Sequence, residues 1–521
     1  MPPNVRITDV KTDKGKVQER TVLMDNVYPA RGVCFTHNNS VDNLLRGLGE
    51  RLMMVPTADG GFAEPPRPVA GAYSTGVIAQ YGKKVLKKMP RYTHPISRDE
   101  FVALYDGAKR KRYEAAAKRL VDNELCERDC NIQIFIKDEK VCAWSKIDPA
   151  PRLISPRSPE YCLELGRYIK PIEHKLYKAV ARVWGETTIA KGLNFNQRGE
   201  LIQQKWESFR NPVAVGLDAS RFDQHVSVDA LEWEHSIYKG CYAGRQRYLK
   251  WLLSKQLLNR GTAFLEGKRL DYEKHGARMS GDMNTALGNC LIMTGLVWSY
   301  LQEKALSGKL INDGDDCVVF LESEDLETFM DGLEAWFTGK GFSMKVEKPC
   351  YELEQIEFCQ CHPVFNGERY TMCRNVHKAL FTDTVHVGRT PKEVAPIIKA
   401  TGECGLAWSK GLPIFPAFYL HMANTIAEKA VVLRNSGTYW NSRGCITGTK
   451  RTSDAARLSF YKAFDISPSE QIAIERYFHA LRVPKALIDP PQIMLNYQPS
   501  VQYDHYPLSV HEGLNYLLFK N

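Results

Sequence analysis

Apolar residues change rhythm along this chain, and the changes mark elements. Residues 213–218, "VAVGLD", are a short apolar run that ends on an aspartate, the pattern of a buried strand. Residues 310–322, "LINDGDDCVVFLE", place two strand-like runs around the tight-turn signal Asp313-Gly314, which predicts a hairpin. Residues 131–136, "NIQIFI", predict a further strand. Elsewhere the period lengthens. Leu326, Phe329, Met330, Leu333, Trp336 and Phe337 fall at helical spacing, with Gly339 or Gly341 as the stop, and "FSMKVE" then alternates as a strand. The stretch "ALEWEHSIYKGCYAGRQRYLKWLLSKQLLN" predicts two helices, and "AKRKRYEAAAKR" opens another that runs through Leu120. Residues 56–76, rich in Pro and Gly, read as a loop or crossing segment. From about residue 370 the pattern is mostly helical with Pro-broken loops. The middle of the chain is therefore a mixed α/β core with long insertions between strands.

Composition narrows the class. A chain of 521 residues suits several subdomains, and 44% apolar residues are enough for a packed fold. The net charge of +10 suits an anionic partner such as nucleic acid, although a merely basic protein has the same balance. The basic residues of the 108–119 stretch could meet RNA phosphates or simply form a solvated helix face. The 14 Cys are scattered without a repeated spacing, which points to reduced thiols and a cytosolic setting. Cys350, Cys359, Cys361, His362, Cys373 and His377 cluster in sequence, but their spacing matches no standard zinc module. No apolar run reaches the roughly 18–20 residues that span a bilayer, and the N-terminus has no apolar signal core. No phosphate-binding loop of the Gly-x-x-x-x-Gly-Lys-Ser/Thr type occurs.

The chemistry starts from the hairpin. Asp313, Asp315 and Asp316 crowd its turn, and buried negative charge without a partner is costly. Asp218 ends the 213–218 strand and Asp223 follows it closely; if the two strands are neighbours, Asp218 and Asp315 stand side by side. Two close carboxylates repel unless a cation intervenes. A pair of divalent ions would resolve this and is the arrangement that performs in-line nucleotidyl transfer. Two further stretches accompany these acids. "MSGDMNTALGNCLIM" sets Ser280, Gly281, Thr285 and Asn289 in a small-residue loop leading into a helix, with Thr285 and Asn289 on one helix face. Gly281 would permit close approach to a ligand, and a hydroxyl with an amide could read a ribose 2′-hydroxyl. Upstream, Lys137, Lys140, Lys146, Arg152 and Arg157 supply cations suited to triphosphate oxygens, and Arg152, within "APRLIS", stands out.

In this order, with "DASRFDQHV", "SGDMNTALGN", "GDD" and "EFCQ", the motifs strongly resemble those of the RNA-dependent RNA polymerases of positive-strand RNA viruses, in detail those of the Tombusviridae. The resemblance implies an α+β closed right hand: fingers from 1–185 and 226–284, palm from 186–225 and 285–368, thumb from 369–521. It implies that Asp218, Asp315 and Asp316 bind two Mg²⁺ or Mn²⁺ ions, Asp316 in support. Asp223, Ser280 and Asn289 would select ribose, with Thr285 behind them. Lys137, Lys146, Arg152 and Arg157 would line the nucleotide entry channel. Lys345 or, by preference, Lys348 would protonate the leaving pyrophosphate, and "EFCQC" would form the hairpin that grips the primer or initiating nucleotide. Asp313 is expected to be a turn residue. Initiation without a primer is also implied, with Tyr439 or Trp440 as a candidate platform. Family members are commonly made as extensions of a membrane-anchored replication protein. This chain, beginning at its own Met, is therefore expected to be the polymerase portion, working on single-stranded RNA, the nascent duplex and NTPs at membrane-bound complexes in the host cytoplasm. A reverse transcriptase would usually carry Ala or Met before the Asp pair and an aromatic where Asp223 stands. A non-catalytic RNA-binding scaffold would not need both acidic motifs intact.

Overall fold

The computed structural model describes residues 2–484 apart from 11–19, 28–33, 91–92, 143–147, 243, 245, 433–438, 440–441, 446–447 and 449. It is a mixed α+β structure organised around one antiparallel sheet. Its strands lie in the order Lys309–Asp313, Asp316–Glu322, Pro212–Ala219 and Met344–Val346. The 213–217 run is buried without interruption because both faces of the sheet are covered. Val213, Val215, Leu217, Val319 and Leu321 face one apolar core, and Ala214, Ile311, Val318 and Phe320 face another. Alternation with a period of two thus feeds two cores from one strand.

The first core holds the helix Thr285–Glu303, whose residues from Leu287 to Leu301 are all buried, packed with the long helix Pro159–Trp184. A helix apolar all round is an interior helix. The second core collects the helix Phe195–Trp206, the hairpin of Cys361–Phe365 with Tyr370–Arg374, and the C-terminal helices. Those helices include Pro391–Trp408, Phe415–Thr425 and Pro468–Ala480. A second four-stranded sheet, in the order Val5–Asp9, Lys268–His275, Leu258–Leu265 and Ile132–Gln133, carries its own smaller core.

Most expected elements are present, with differences at their ends. The two helices predicted after residue 229 are Val228–Gly240 and Arg247–Ser254, but the final "LLN" of that stretch opens the strand Leu258–Leu265. The helix expected over 326–337 is two, Leu326–Met330 and Leu333–Gly339. Gly332, in the left-handed region at φ 70°, breaks it. The Tyr300 hydroxyl satisfies the freed carbonyls by donating to Phe329 O at 2.6 Å and Asp331 O at 3.0 Å. "NIQIFI" is also divided: Ile132–Gln133 joins the second sheet, whereas Phe135–Ile136 pairs with Leu153–Ile154. The basic helix forms as Gly107–Asp122, burying only Tyr113, Ala116 and Leu120. Among the described residues, no helix is long and apolar enough to cross a membrane.

Gly199 lets the helix Phe195–Trp206 lie against the strand Tyr370–Arg374. A β-carbon there would sit 2.6 Å from both the Thr371 Cα and the Tyr370 carbonyl oxygen. In an exposed helix, Gly→Ala adds about 1 kcal/mol of stability. Here overpacking against backbone should outweigh that gain and cost roughly 1–3 kcal/mol. Gly199→Ala is therefore expected to lower the melting temperature; a rise would contradict this packing.

Candidate active site at the end of the central sheet

The pairing of Pro212–Ala219 with Asp316–Glu322 sets Asp218 opposite Asp316, not opposite Asp315 as strand adjacency alone suggested. Asp313 and Asp316 close the hairpin around Gly314 and Asp315. Gly314 has φ 94°, open to glycine at little cost. Asn312, fully buried, clamps the turn: its Nδ2 donates to Gly314 O at 2.7 Å, and its Oδ1 accepts from Gly314 N–H at 3.2 Å.

The three acids of the hairpin divide. Asp313 points inward to Lys191 and to Arg198, whose guanidinium lies 2.6 Å away. Burial alone would push its pKa up, but the two cations outweigh it and hold Asp313 below the usual carboxylate range. It is thus an internal ion-paired residue and more than a turn residue. Asp315 and Asp316 face an open cavity of about 1130 Å³, together with Asp218 and Asp223. Asp316 is accessible to that cavity yet ringed by protein. Burial first, then the Asp315, Asp313 and Asp218 charges, push its carboxyl up to about 6, against a hydrogen bond from Cys359 that lowers it.

Asp223 lies on the short helix Phe222–His225, entered through Arg221 in the left-handed region at φ 52°. Its Oδ1 accepts from Asn289 Nδ2 at 2.9 Å. Burial raises its pKa, opposed by that hydrogen bond and by Arg278. Ser280 lines the same cavity; its hydroxyl accepts from Ser155 N–H and donates to Leu153 O, both at 3.2 Å. Thr285 is not a lining residue, and its hydroxyl donates to Met279 O at 2.8 Å. Gly281 does not make room for a ligand. A β-carbon there would lie 2.6 Å from Pro156 Cα, so its smallness seats the 280–285 loop on the backbone of 155–156.

The upstream cations separate as well. Arg152 and Lys137 line the cavity and share Glu139, at 3.3 Å and 3.1 Å. Lys146 lies outside the described residues. Arg157 does not reach the cavity. It is buried, bonded to Asp282 at 2.6 Å, to Cys130 O at 2.6 Å and to Asn259, so its guanidinium is consumed in joining three segments. Lys140 turns away and donates to Thr382 O at 2.6 Å. Neither Lys345 nor Lys348 lines the cavity, and the register sets Lys345, not Lys348, opposite Asp218. Glu347, between them, is a lining residue instead.

"EFCQC" contributes Glu357, Phe358, Cys359 and Gln360 to the lining. Cys359 and Gln360 are both left-handed, at φ 53° and 59°, in a two-residue turn closed by reciprocal Phe358–Cys361 backbone hydrogen bonds. Tyr439 is not among the lining residues, and Trp440 lies outside the described residues. Three cations that sequence reasoning passed over, Arg51, Arg221 and Arg278, complete the wall. Burial, then Arg221 and Arg152, lower the Arg51 pKa, against the opposing charges of Glu139 and Glu50.

Acidic and basic side chains thus line one cavity. Residues 9–486 match the family model described as viral RNA dependent RNA polymerase. The chain belongs to that family. It is 40% identical over 497 residues to the RNA-directed RNA polymerase of Oat chlorotic stunt virus, covering 91% of this chain and 66% of the relative. The corresponding protein of Tobacco necrosis virus strain A is 41% identical over 448 residues, covering 85% and 61%. That of Tomato bushy stunt virus is 38% identical over 477 residues, covering 90% and 57%. The chain thus spans about two thirds or less of the length of these relatives.

Among the described residues, no three or more His, Cys, Asp or Glu side chains are gathered to hold a metal ion, the Cys/His cluster of 350–377 included. The cavity's donors nevertheless fit hard divalent cations. They are carboxylate oxygens, and after burial the charges of Asp315, Asp313 and Asp218 add to the raised pKa of Asp316. Mg²⁺ commonly takes one or two carboxylates and completes its shell with waters and phosphates, so a finished protein cage is not required.

The raised pKa has a consequence for stability. Between the unfolded value near 3.8 and about 6, the folded protein holds the proton more tightly, so Asp316 costs stability as pH rises through that window. Asp316→Asn should therefore stabilise metal-free protein at pH 7 by up to about 1 kcal/mol after screening by cavity water, read as a higher melting temperature, and the gain should vanish near pH 4. Equal melting temperatures at pH 7 would rule out the charge crowding.

Proposed function

We propose that this chain is an RNA-directed RNA polymerase that copies the genome of a positive-strand RNA virus at the cavity described above. The observation that carries this reading is the cross-strand register of Asp218 with Asp316, with Asp315 at the hairpin tip, at one end of a sheet buried on both faces. Family membership supplies the reaction class. A right hand follows, with fingers from 1–185 and 226–284, palm from 186–225 and 285–368, and thumb from 369–521. In its favour, all four strands of the central sheet fall inside the palm ranges, and all four of the second sheet fall inside the fingers ranges.

Asp218, Asp315 and Asp316 would hold two divalent ions, Mg²⁺ or Mn²⁺, which when bound acidify a 3′-hydroxyl and neutralise charge on the leaving pyrophosphate. The protein does the remaining work. Lys137, Arg51, Arg152 and Arg221 bind the triphosphate through charge-assisted hydrogen bonds. Asp223, with one oxygen taken by Asn289, offers the other to a ribose hydroxyl. Ser280, bonded to 153–155, couples the entry segment to the sugar site. Lys345 or Lys348 gives pyrophosphate its proton, and the register favours Lys345. Template RNA and the growing duplex are the macromolecular partners. Initiation without a primer, and docking to a membrane-anchored replication protein at host membranes, rest on the resemblance of the motifs.

Asp218→Ala and Asp315→Ala should abolish templated nucleotide incorporation with Mg²⁺ or Mn²⁺ while circular dichroism and melting stay near wild type. Retained incorporation in either folded variant would sink the assignment. Asp223→Ala or Asn289→Ala should lower the preference for ribonucleotides over 2′-deoxynucleotides roughly tenfold, the effect of one lost hydrogen bond. Competing incorporation of the two substrates measures it, and an unchanged ratio would remove both residues from sugar selection.

A further inference from the structure

Behind Asp223, which lines the cavity, lies a network of buried polar groups; Asn289 is not itself a lining residue, and Arg278, which borders the cavity, is almost wholly buried. Arg278 donates through Nε to Asn289 Oδ1 at 3.0 Å. Its two terminal nitrogens pair with Glu234, which is fully buried. Glu234 also accepts from the Tyr238 hydroxyl at 2.7 Å and from Asn284 Nδ2 at 2.9 Å. The Arg278 backbone N–H donates to Asp223 O at 2.7 Å. The helix Thr285–Glu303 crosses this ion pair at Gly288, where a β-carbon would overlap both charged groups. The glycine therefore opens the space that the pair fills and delivers the next residue, Asn289, to Arg278.

Stability alone does not call for this arrangement. Desolvation of two buried charges offsets most of their attraction, and apolar residues of similar volume serve as well. Orientation is what the pair supplies. An asparagine amide can sit either way round, whereas a guanidinium only donates. Arg278 therefore accepts no partner at Asn289 but Oδ1, which turns Nδ2 toward Asp223 Oδ1. The reversed amide would set two acceptors against each other and strip Asp223 of its donor. The fork matters too. Nε serves Asn289 while both terminal nitrogens serve Glu234, a division that lysine, with its three donors on one nitrogen, cannot span.

We propose that Arg278, locked by Glu234, is a positioning residue for sugar selection: it fixes the amide of Asn289, and through it the carboxylate of Asp223, in the one arrangement that accepts a ribose hydroxyl. This rests on the ribonucleotide reading of the cavity. Neither Arg278 nor Glu234 need touch the sugar.

The test is addition of one templated nucleotide to a primed RNA by the purified chain, with kcat/KM measured for the ribonucleotide and for its 2′-deoxy counterpart. Arg278→Lys keeps the charge and should lower the ribose preference roughly tenfold. Glu234→Gln keeps the shape, frees the guanidinium and should shift the ratio the same way; it decides the matter if Arg278→Lys does not fold. Combined with Asn289→Ala, Arg278→Lys should cause no further loss of preference, because both act through one amide. A merely structural role would slow both substrates equally. An unchanged ratio in a folded Arg278→Lys or Glu234→Gln protein overturns the proposal, as does an additive loss in the double variant. If Asn289→Ala itself leaves the ratio unchanged, the ribonucleotide reading of that pair fails first, and the proposal with it.

Discussion

The antiparallel pairing of Pro212–Ala219 with Asp316–Glu322, held between two apolar cores, is the constraint on which the site depends. Both faces are buried, so the register is fixed by side chains on each side of the sheet. A slip of one residue would send Val213, Val215 and Leu217 to the wrong core and separate Asp218 from Asp316. The cost of such a slip is carried by many apolar contacts remote from the acids. Two carboxylates that repel each other are thereby kept together by groups that take no part in chemistry.

The same economy appears in how charge is distributed. Asp313 is neutralised inside the protein by Lys191 and Arg198, which anchors one end of the turn. Asp315 and Asp316 remain open to the cavity, short of positive charge. Arg51, Arg152 and Arg221 line the same cavity, where Glu139 already pairs with Arg152. On the proposed function, a ligand that brings both a hard cation and a chain of phosphates would satisfy the two sides at once. Arg157, in contrast, spends its guanidinium on Asp282 and on backbone, and so belongs to the frame.

Much of this was legible in the residues. The strand ending at Asp218, the hairpin around Gly314, the helix after Asn284 and the Lys-bearing strand after Gly341 are all local patterns, and all are present. The helix break at Gly332 was less legible, because the apolar spacing runs straight through it and the carbonyls it frees are met by Tyr300 from another helix. Arg278 stood two residues before Ser280 and carried a visible signal by position. Glu234 carried none: in "EWEH" it looks like any polar face of an amphipathic helix, yet it is fully buried.

By itself the sequence determined the type of the elements that carry the acids, the order of the motifs and the chemistry of their side chains, because periodicity, turn residues and acid spacing are local properties. Tertiary structure alone decided which Asp faces which, that Asp313 is internal, that Arg157 is structural while Arg51 and Arg221 reach the cavity, and that Gly281 and Gly288 make room for protein and not for ligand. Those outcomes depend on which residues distant in the chain arrive within hydrogen-bonding distance. Packing sets that, and no window of sequence records it.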